Sequence, residues 1–123
     1  MKKILVIDDE DAIRDLITEK LSKHNYNVRS ASSGKEGLVL AGASQPDLIL
    51  LDIAMADMDG YVTCEQLRSR ANTKYTPILF LTGKDLDPKS MTGRCSNLEA
   101  HGHISKTATL KDLLAKIKDI LGE

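Results

Sequence analysis

The feature that most constrains this fold is a set of three short apolar runs that are almost unbroken. They occupy residues 4–7, 48–51 and 78–81. A strand with one solvent-exposed face alternates polar and apolar side chains, whereas a strand buried on both faces has a continuous apolar sequence. Stretches with helical spacing lie between the runs. The first of them carries an apolar stripe formed by Ile13, Leu16, Ile17 and Leu21. The sequence therefore predicts central parallel strands connected by helices.

Weaker patterns complete an order of five strands, each followed by a helix. Alternation over residues 26–30 predicts the second strand, and a short fifth strand is expected over 103–105. Capping-box sequences at 33–36 and 109–112 open two helices. Residues 84–100 contain proline and glycine, and they predict at most a short helix. Because parallel crossovers place helices on both faces of a sheet, we expect an α/β fold with (βα)5 order and a doubly wound parallel sheet.

The length and charge of the chain exclude several classes of function. Its 123 residues have room for one domain, which we expect over residues 1–123. Lys and Arg total 17 against 18 Asp and Glu, so there is no positive excess for direct nucleic-acid binding. Cys64 and Cys95 have no zinc-ligand spacing, and no apolar run approaches the roughly 18 residues of a membrane span. We expect a cytoplasmic protein without membrane insertion.

Polar residues follow the predicted strands at the point where each strand ends. Asp8 and Asp9 follow the first strand, Asp52 the third, Thr82 the fourth and Lys106 the fifth. The carboxyl ends of parallel strands share one edge, where open sheets of this class bind ligands. Each pair of carboxylates about 4 Å apart costs roughly 4 kcal/mol at an effective dielectric near 20, so a cation or a proton must relieve the repulsion. Oxygen ligands without nearby histidine or cysteine favour Mg²⁺.

These strand-end residues also suggest chemistry at phosphorus. A carboxylate beside such a metal can form an aspartyl phosphate, and Asp52 is placed for that role. Lys106 would balance the phosphoryl charge, and the hydroxyl of Thr82 would donate to a phosphoryl oxygen. Taken singly, each residue has a plainer explanation. The acids of residues 8–11 suit a helix N-terminus, where Asp11 or Asp9 would cap the first helix. Their coincidence at four strand ends favours the joint site.

Four segments of the chain form a combination that is specific to one family. They are residues 3–10, 46–60, 81–82 and 105–106. Together they resemble the receiver domain of two-component response regulators, in the superfamily of the chemotaxis regulators. The resemblance covers essentially the whole chain and implies the flavodoxin-like strand order 2-1-3-4-5. It also implies that a sensor histidine kinase or a phosphotransfer protein donates a phosphoryl group to Asp52, and that an unknown downstream protein or output domain receives the signal.

The resemblance gives each residue of the site a role. The Mg²⁺ ligands that it implies are Asp8, Asp9, Asp52 and the carbonyl of Ala54. Lys106 would pair with the phosphoryl group, while Thr82 and His103 occupy the switch positions that report phosphorylation. Receivers also hydrolyse their own aspartyl phosphate slowly. The domain is therefore expected to be mainly a signalling phosphoacceptor, with self-phosphotransfer and autophosphatase chemistry.

Four features depart from the family pattern. Ala56 stands where receivers usually have proline, which removes a backbone restraint. Thr107 replaces the proline that usually follows the lysine. Because a cis bond without proline costs about 3 to 4 kcal/mol, we expect a trans peptide and a shifted loop there. His103 stands at the aromatic switch position, and residues 84–101 fit the family poorly in spacing and helix propensity.

Other classes of function compete with a phosphorylatable receiver. A pseudo-receiver would act as a phosphorylation-independent interaction module, which the altered switch positions favour. A phosphohydrolase of the haloacid dehalogenase type needs a second aspartate two residues after the nucleophile, where this chain has Ala54. Nucleotide and flavin binding are not expected, because residues 82–84 lack the upstream glycine of a phosphate-binding loop and no G-x-G-x-x-G follows the first strand.

Overall fold

The structure, a computed structural model, describes residues 1–83 and 100–123. The strands are β1 (Lys2–Ile7), β2 (Tyr26–Ala31), β3 (Leu48–Asp52), β4 (Ile78–Thr82) and β5 (His103–Ser105). The described helices are α1 (Asp11–Ser22), α2 (Gly34–Ser44), α3 (Gly60–Arg68) and α4 (Leu110–Leu121). All strand pairs are parallel, and the sheet has the order β2-β1-β3-β4-β5. The α/β fold and the strand order 2-1-3-4-5 are thus confirmed.

The central strands explain why the apolar runs are unbroken. In β1, Leu5 and Ile7 pack into a cluster with α2 and α3, whereas Ile4 and Val6 pack into a second cluster with α1 and α4. None of these four side chains is more than 1% exposed. Burial of each such side chain contributes about 1.5–3 kcal/mol. Helices therefore cover both faces of the sheet, and the strand ends are left open at its edge.

Two of the predicted helix starts have the expected side-chain caps. Ser33 Oγ accepts a hydrogen bond from the Glu36 N–H at 3.1 Å at the start of α2. Thr109 Oγ1 accepts one from the Asp112 N–H at 3.1 Å at the start of α4. These caps satisfy backbone donors that have no partner inside the helix. Both helix starts are therefore confirmed.

The aspartate cap predicted for the first helix is wrong. The N-cap of α1 is Glu10, whose side chain makes no capping hydrogen bond. Asp9 instead accepts from the Ala56 N–H at 3.1 Å, and Asp11 pairs with Arg14 at 2.6 Å. Asp9 is thus engaged with a distant part of the chain, and Asp11 lies inside the helix, where it pairs within the first turn.

The loop after β3 folds back against the end of that strand. The Gly60 N–H donates to the Ile53 carbonyl at 2.8 Å, and a Cβ atom on Gly60 would overlap the carbonyl oxygen of Asp52. Asp59 caps α3 by accepting from the Val62 N–H at 2.9 Å. Residue 60 must therefore be glycine for the loop to close this tightly, and the closure holds the end of β3 in place.

Three further predictions have separate outcomes. The peptide that follows Lys106 is trans, as expected, since the described parts of the chain contain no cis bond. Of the segment 84–100, in which a short helix was predicted, residues 84–99 fall outside the described residues, as does Cys95. Among the helices that can be described, none has the length and apolar character needed to cross a bilayer.

Candidate functional site

Residues from three strand ends meet at one point of the sheet edge. Asp8 follows β1, Asp52 ends β3 and Lys106 follows β5. The ammonium nitrogen Nζ of Lys106 lies 3.1 Å from Asp8 Oδ2 and 3.1 Å from Asp52 Oδ2. It also lies 2.7 Å from Oε1 of Glu10. The convergence that the parallel topology predicted is therefore present.

The two aspartates of this pocket are buried, and each has one oxygen atom that lacks a hydrogen bond. Asp8 is 0% and Asp52 1% exposed. Asp8 Oδ1 accepts from the Glu10 N–H at 2.9 Å, and Asp52 Oδ1 accepts from the Ala54 N–H at 3.3 Å. Oδ2 of each aspartate is buried without a hydrogen-bond partner, although the charge of Lys106 is close by. Buried carboxylate oxygens of this kind lower the stability of the folded protein unless a further cation binds them.

The pocket raises the pKa values of both its acid and its base. Burial and the charge of Asp8 raise the pKa of Asp52, and Lys106 partly opposes the rise, so that the pKa is about 6. For Lys106, burial alone would lower the pKa, but its contacts with the carboxylates of Glu10, Asp52 and Asp8 raise it overall. At neutral pH Asp52 is therefore mostly ionised and Lys106 is charged.

The donor set of the pocket fits a hard divalent cation. One carboxylate oxygen from each of Asp8, Glu10 and Asp52 lies within 4.8 Å of the others. Oxygen-only ligands suit Mg²⁺, which is held by one or two carboxylates together with water and phosphate oxygens. The unpaired Oδ2 atoms of Asp8 and Asp52 are the specific feature that such an ion would satisfy.

Two of the metal ligands implied by the resemblance lie beside this group. The Asp9 carboxylate is directed to the Ala56 N–H, which joins the β1–α1 turn to the loop after β3. Ala54 is exposed, and its N–H donates to Asp52. The ligand roles of Asp9 and of the Ala54 carbonyl remain predictions.

The two switch residues lie on neighbouring strands: Thr82 ends β4 and His103 begins β5. Thr82 is 6% exposed, and its hydroxyl donates to the Ile104 carbonyl at 3.4 Å. His103 is half-buried in β5, where it pairs with Phe80 of β4. The Thr82 hydroxyl is thus bonded to β5 and not to Asp52. A switch role for either residue remains a prediction.

Glu10 is the residue of the pocket that sequence reasoning missed. Its backbone is extended, with φ −89° and ψ 108°. The chain bends at Asp9, where the Glu10 N–H donates to Asp8 Oδ1, and the Glu10 side chain reaches Lys106. No local sequence signal singles out Glu10 from its acidic neighbours, because the contact depends on a lysine 96 residues away.

Comparisons with known proteins agree with this geometry. The family model described as the response regulator receiver domain matches residues 4–118. The response regulator MprA of Mycolicibacterium vanbaalenii is 36% identical over 121 residues, which are 97% of this chain and 50% of the relative. The alkaline phosphatase synthesis transcriptional regulatory protein PhoP of Bacillus subtilis is 38% identical over 120 residues, with 98% of this chain and 48% of the relative covered. The chain thus spans about half the length of these relatives.

Solved structures show the same fold. The chemotaxis protein CheY4 of Vibrio cholerae superposes with a TM-score of 0.91 at 29% identity, with 98% of this chain and 99% of that chain covered. The N-terminal domain of a response regulator receiver protein from Methanoculleus marisnigri has a TM-score of 0.79 at 34% identity, with 100% and 98% covered. Both similarities extend over essentially the whole of the compared chains.

Proposed function

This chain belongs to the response regulator receiver domain family, and we propose that it is a phosphoacceptor in two-component signalling. Asp52 receives a phosphoryl group from a sensor histidine kinase or a phosphotransfer protein. The observation that carries the proposal is the position of the Asp52 carboxylate, which is 1% exposed, lies 3.1 Å from the Lys106 ammonium and has an oxygen without a hydrogen bond.

The environment of Asp52 suits a nucleophile. A carboxylate with a raised pKa is more basic than an ordinary one, and at neutral pH it is still mostly ionised. In the transfer step, an Asp52 oxygen bonds to phosphorus while the bond between phosphorus and the donor's imidazole nitrogen breaks, and that nitrogen keeps the electron pair. Lys106 donates to a phosphoryl oxygen and offsets part of its charge. The Thr82 hydroxyl, which now bonds to the Ile104 carbonyl, turns to the phosphoryl group.

The ion that we propose for this site is Mg²⁺. Asp8 and Asp52 would hold it through their carboxylates, and Asp9 and the Ala54 carbonyl would complete the set as the family resemblance implies. Bound there, the ion supplies positive charge against the oxygens of the phosphoryl group. The protein's own contribution is to keep Asp8 and Asp52 buried side by side, so that their repulsion favours a cation.

The signal leaves the domain through a change at Thr82 and His103, and slow autodephosphorylation ends it. MprA and PhoP are named as a response regulator and a transcriptional regulatory protein, and the chain spans about half of each. We therefore propose that a downstream protein or an output domain receives the signal. We also propose that this protein acts in the cytoplasm. Direct contact of this chain with nucleic acid is not part of the proposal, because its net charge is −1.

A second candidate is a pseudo-receiver that binds partners without phosphorylation. The observation in its favour is that Lys106 already contacts three carboxylates in the unphosphorylated protein. Such a protein would keep the fold and the acidic pocket, but it would form no phosphoryl adduct.

Incubation with Mg²⁺ and acetyl phosphate, followed by intact-mass measurement, separates the two. We expect one phosphoryl adduct on the parent protein and none on Asp52→Asn. Asp57→Asn is the matched control, because Asp57 is an exposed acid of the following loop and should leave the adduct unchanged. An unmodified parent, or an adduct that persists in Asp52→Asn, would reject the phosphoacceptor role.

A further inference from the structure

The three N–H donors of the Lys106 ammonium face three acidic side chains. The distances from Nζ are 2.7 Å to Glu10, 3.1 Å to Asp8 and 3.1 Å to Asp52. The bond to Glu10 is the shortest, and it has hydrogen-bond geometry. Nζ also donates to Asp8 Oδ1 at 3.4 Å, whereas its contact with Asp52 is an ion pair. A phosphoryl oxygen on Asp52 would therefore compete with Glu10 and Asp8 for the ammonium.

The three carboxylates differ in how easily they can release the lysine. Asp8 and Asp52 are buried, so losing the ammonium would leave them unpaired away from water. The side chain of Glu10 is 61% exposed, and water can replace the ammonium there. Glu10 is thus the partner that gives up Lys106 at the lowest cost.

Glu10 stands at the N-cap of α1, but its side chain makes no capping hydrogen bond there. Its carboxylate instead reaches Lys106, which lies 96 residues away in the sequence. This preference for the lysine indicates that the pair is a defined feature of the unphosphorylated site.

We propose that Glu10 is a positioning residue that holds Lys106 in the unphosphorylated protein and competes with a phosphoryl group on Asp52 for its ammonium. This inference rests on the proposed phosphoacceptor function. When a phosphoryl group is attached to Asp52, Lys106 must donate at least one of its N–H groups to the phosphoryl oxygens. The negative charge of Glu10 both pulls on the lysine and repels those oxygens, so it weakens retention of the phosphoryl group.

The first test measures the coupling between Glu10 and Lys106 in the absence of metal and phosphate. The stabilities of the parent, Glu10→Gln, Lys106→Met and the double variant are compared by urea unfolding in EDTA, which forms a double-mutant cycle. We expect the two changes to be coupled by about threefold to tenfold in the unfolding equilibrium constant, because Lys106 is mostly buried. Glu19→Gln is the matched control: it removes the same charge from an exposed pair with Lys23 on the same helix and should show no coupling to Lys106. An uncoupled Glu10→Gln variant overturns the inference.

The second test measures competition directly. Beryllofluoride, a phosphoryl mimic, is titrated at saturating Mg²⁺ and followed by ¹⁹F NMR. Glu10→Gln should bind it about threefold to tenfold more tightly than the parent, whereas Glu19→Gln should match the parent. Unchanged or weaker binding by Glu10→Gln, which is the result expected if Glu10 is a metal ligand, overturns the inference while the parent still binds the mimic. If the parent itself binds none, the phosphoacceptor function fails, and this inference fails with it.

Discussion

Arg14 donates a hydrogen bond from Nη1 to the backbone carbonyl of Asp8 at 2.8 Å. Its other terminal nitrogen, Nη2, pairs with Asp11 at 2.6 Å, and the side chain is only 15% exposed. The first turn of α1 is thereby attached to the residue that follows β1. A helix that packs on one face of the sheet thus helps to hold the acid at its edge.

Replacing Arg14 with Met should therefore destabilise the protein. The Asp8 carbonyl loses a charge-assisted hydrogen bond, which contributes about 1.5–3 kcal/mol. We expect the free energy of unfolding, measured with urea, to fall by about 1–2 kcal/mol, because part of the loss is recovered by water. Arg29→Met on the exposed side of β2 is the control and should change it by no more than about 0.5 kcal/mol. Equal effects of the two changes would show that the contact with Asp8 contributes nothing.

Two glycine substitutions should have opposite effects on stability. Gly60→Ala places a Cβ atom against the carbonyl of Asp52, and relief of that overlap requires backbone movement. We expect a loss of about 2–4 kcal/mol in the free energy of unfolding, together with reduced phosphorylation by acetyl phosphate. Gly42→Ala, in α2, meets only ordinary van der Waals contact and should stabilise by about 0.5–1 kcal/mol. Tolerance of Ala at residue 60 would mean that the loop does not hold the end of β3.

The stability of the metal-free protein should depend on pH through Asp52. Its pKa is raised in the folded state to about 6 from an ordinary value of 3.8. The folded protein thus binds this proton more tightly than the unfolded chain does, so ionisation of Asp52 costs stability as the pH rises from about 4 to above 6. Asp52→Asn cannot ionise. In EDTA, the free energy of unfolding of the parent relative to this variant should fall by about 1–3 kcal/mol between pH 4.5 and pH 8. A difference that stays flat with pH would contradict the raised pKa.

Magnesium should stabilise the folded protein through the same carboxylates. A ligand present at about 100 times its dissociation constant adds about 2.7 kcal/mol, and a weakly bound ion at tens of millimolar adds less. We expect an increase of about 1–2 kcal/mol for the parent, measured as a shift of the urea midpoint. Asp8→Asn should lose most of this increase, and Asp57→Asn should keep it. If Asp8→Asn responds to Mg²⁺ as the parent does, the ion binds elsewhere.

The fold was predictable because its strands have a strong and local signal. Residues 4–7, 48–51 and 78–81 are apolar on both faces, and they are buried on both faces in the structure. Once these strands are parallel, their carboxyl ends must share an edge. The meeting of Asp8, Asp52 and Lys106 follows from topology and needs no knowledge of side-chain packing.

The details of the site were not predictable in the same way. Four acids stand in a row at residues 8–11, and composition cannot say which of them face the pocket. The choice depends on the bend at Asp9 and on distant partners, since Glu10 reaches Lys106 and Asp9 reaches the Ala56 N–H. The helix cap was mispredicted because Asp9 has this distant partner and Asp11 already belongs to the first turn of α1, where it pairs with Arg14.

Three carboxylates around a single ammonium leave the resting pocket with two net negative charges at neutral pH. A dianionic phosphoryl group would deepen that imbalance, whereas a divalent ion would cancel it. Thermodynamic reciprocity then requires that, by whatever factor the ion tightens binding of a phosphoryl mimic such as beryllofluoride, the mimic tightens binding of the ion. The affinity of this pocket for such a mimic should therefore rise with the concentration of free magnesium.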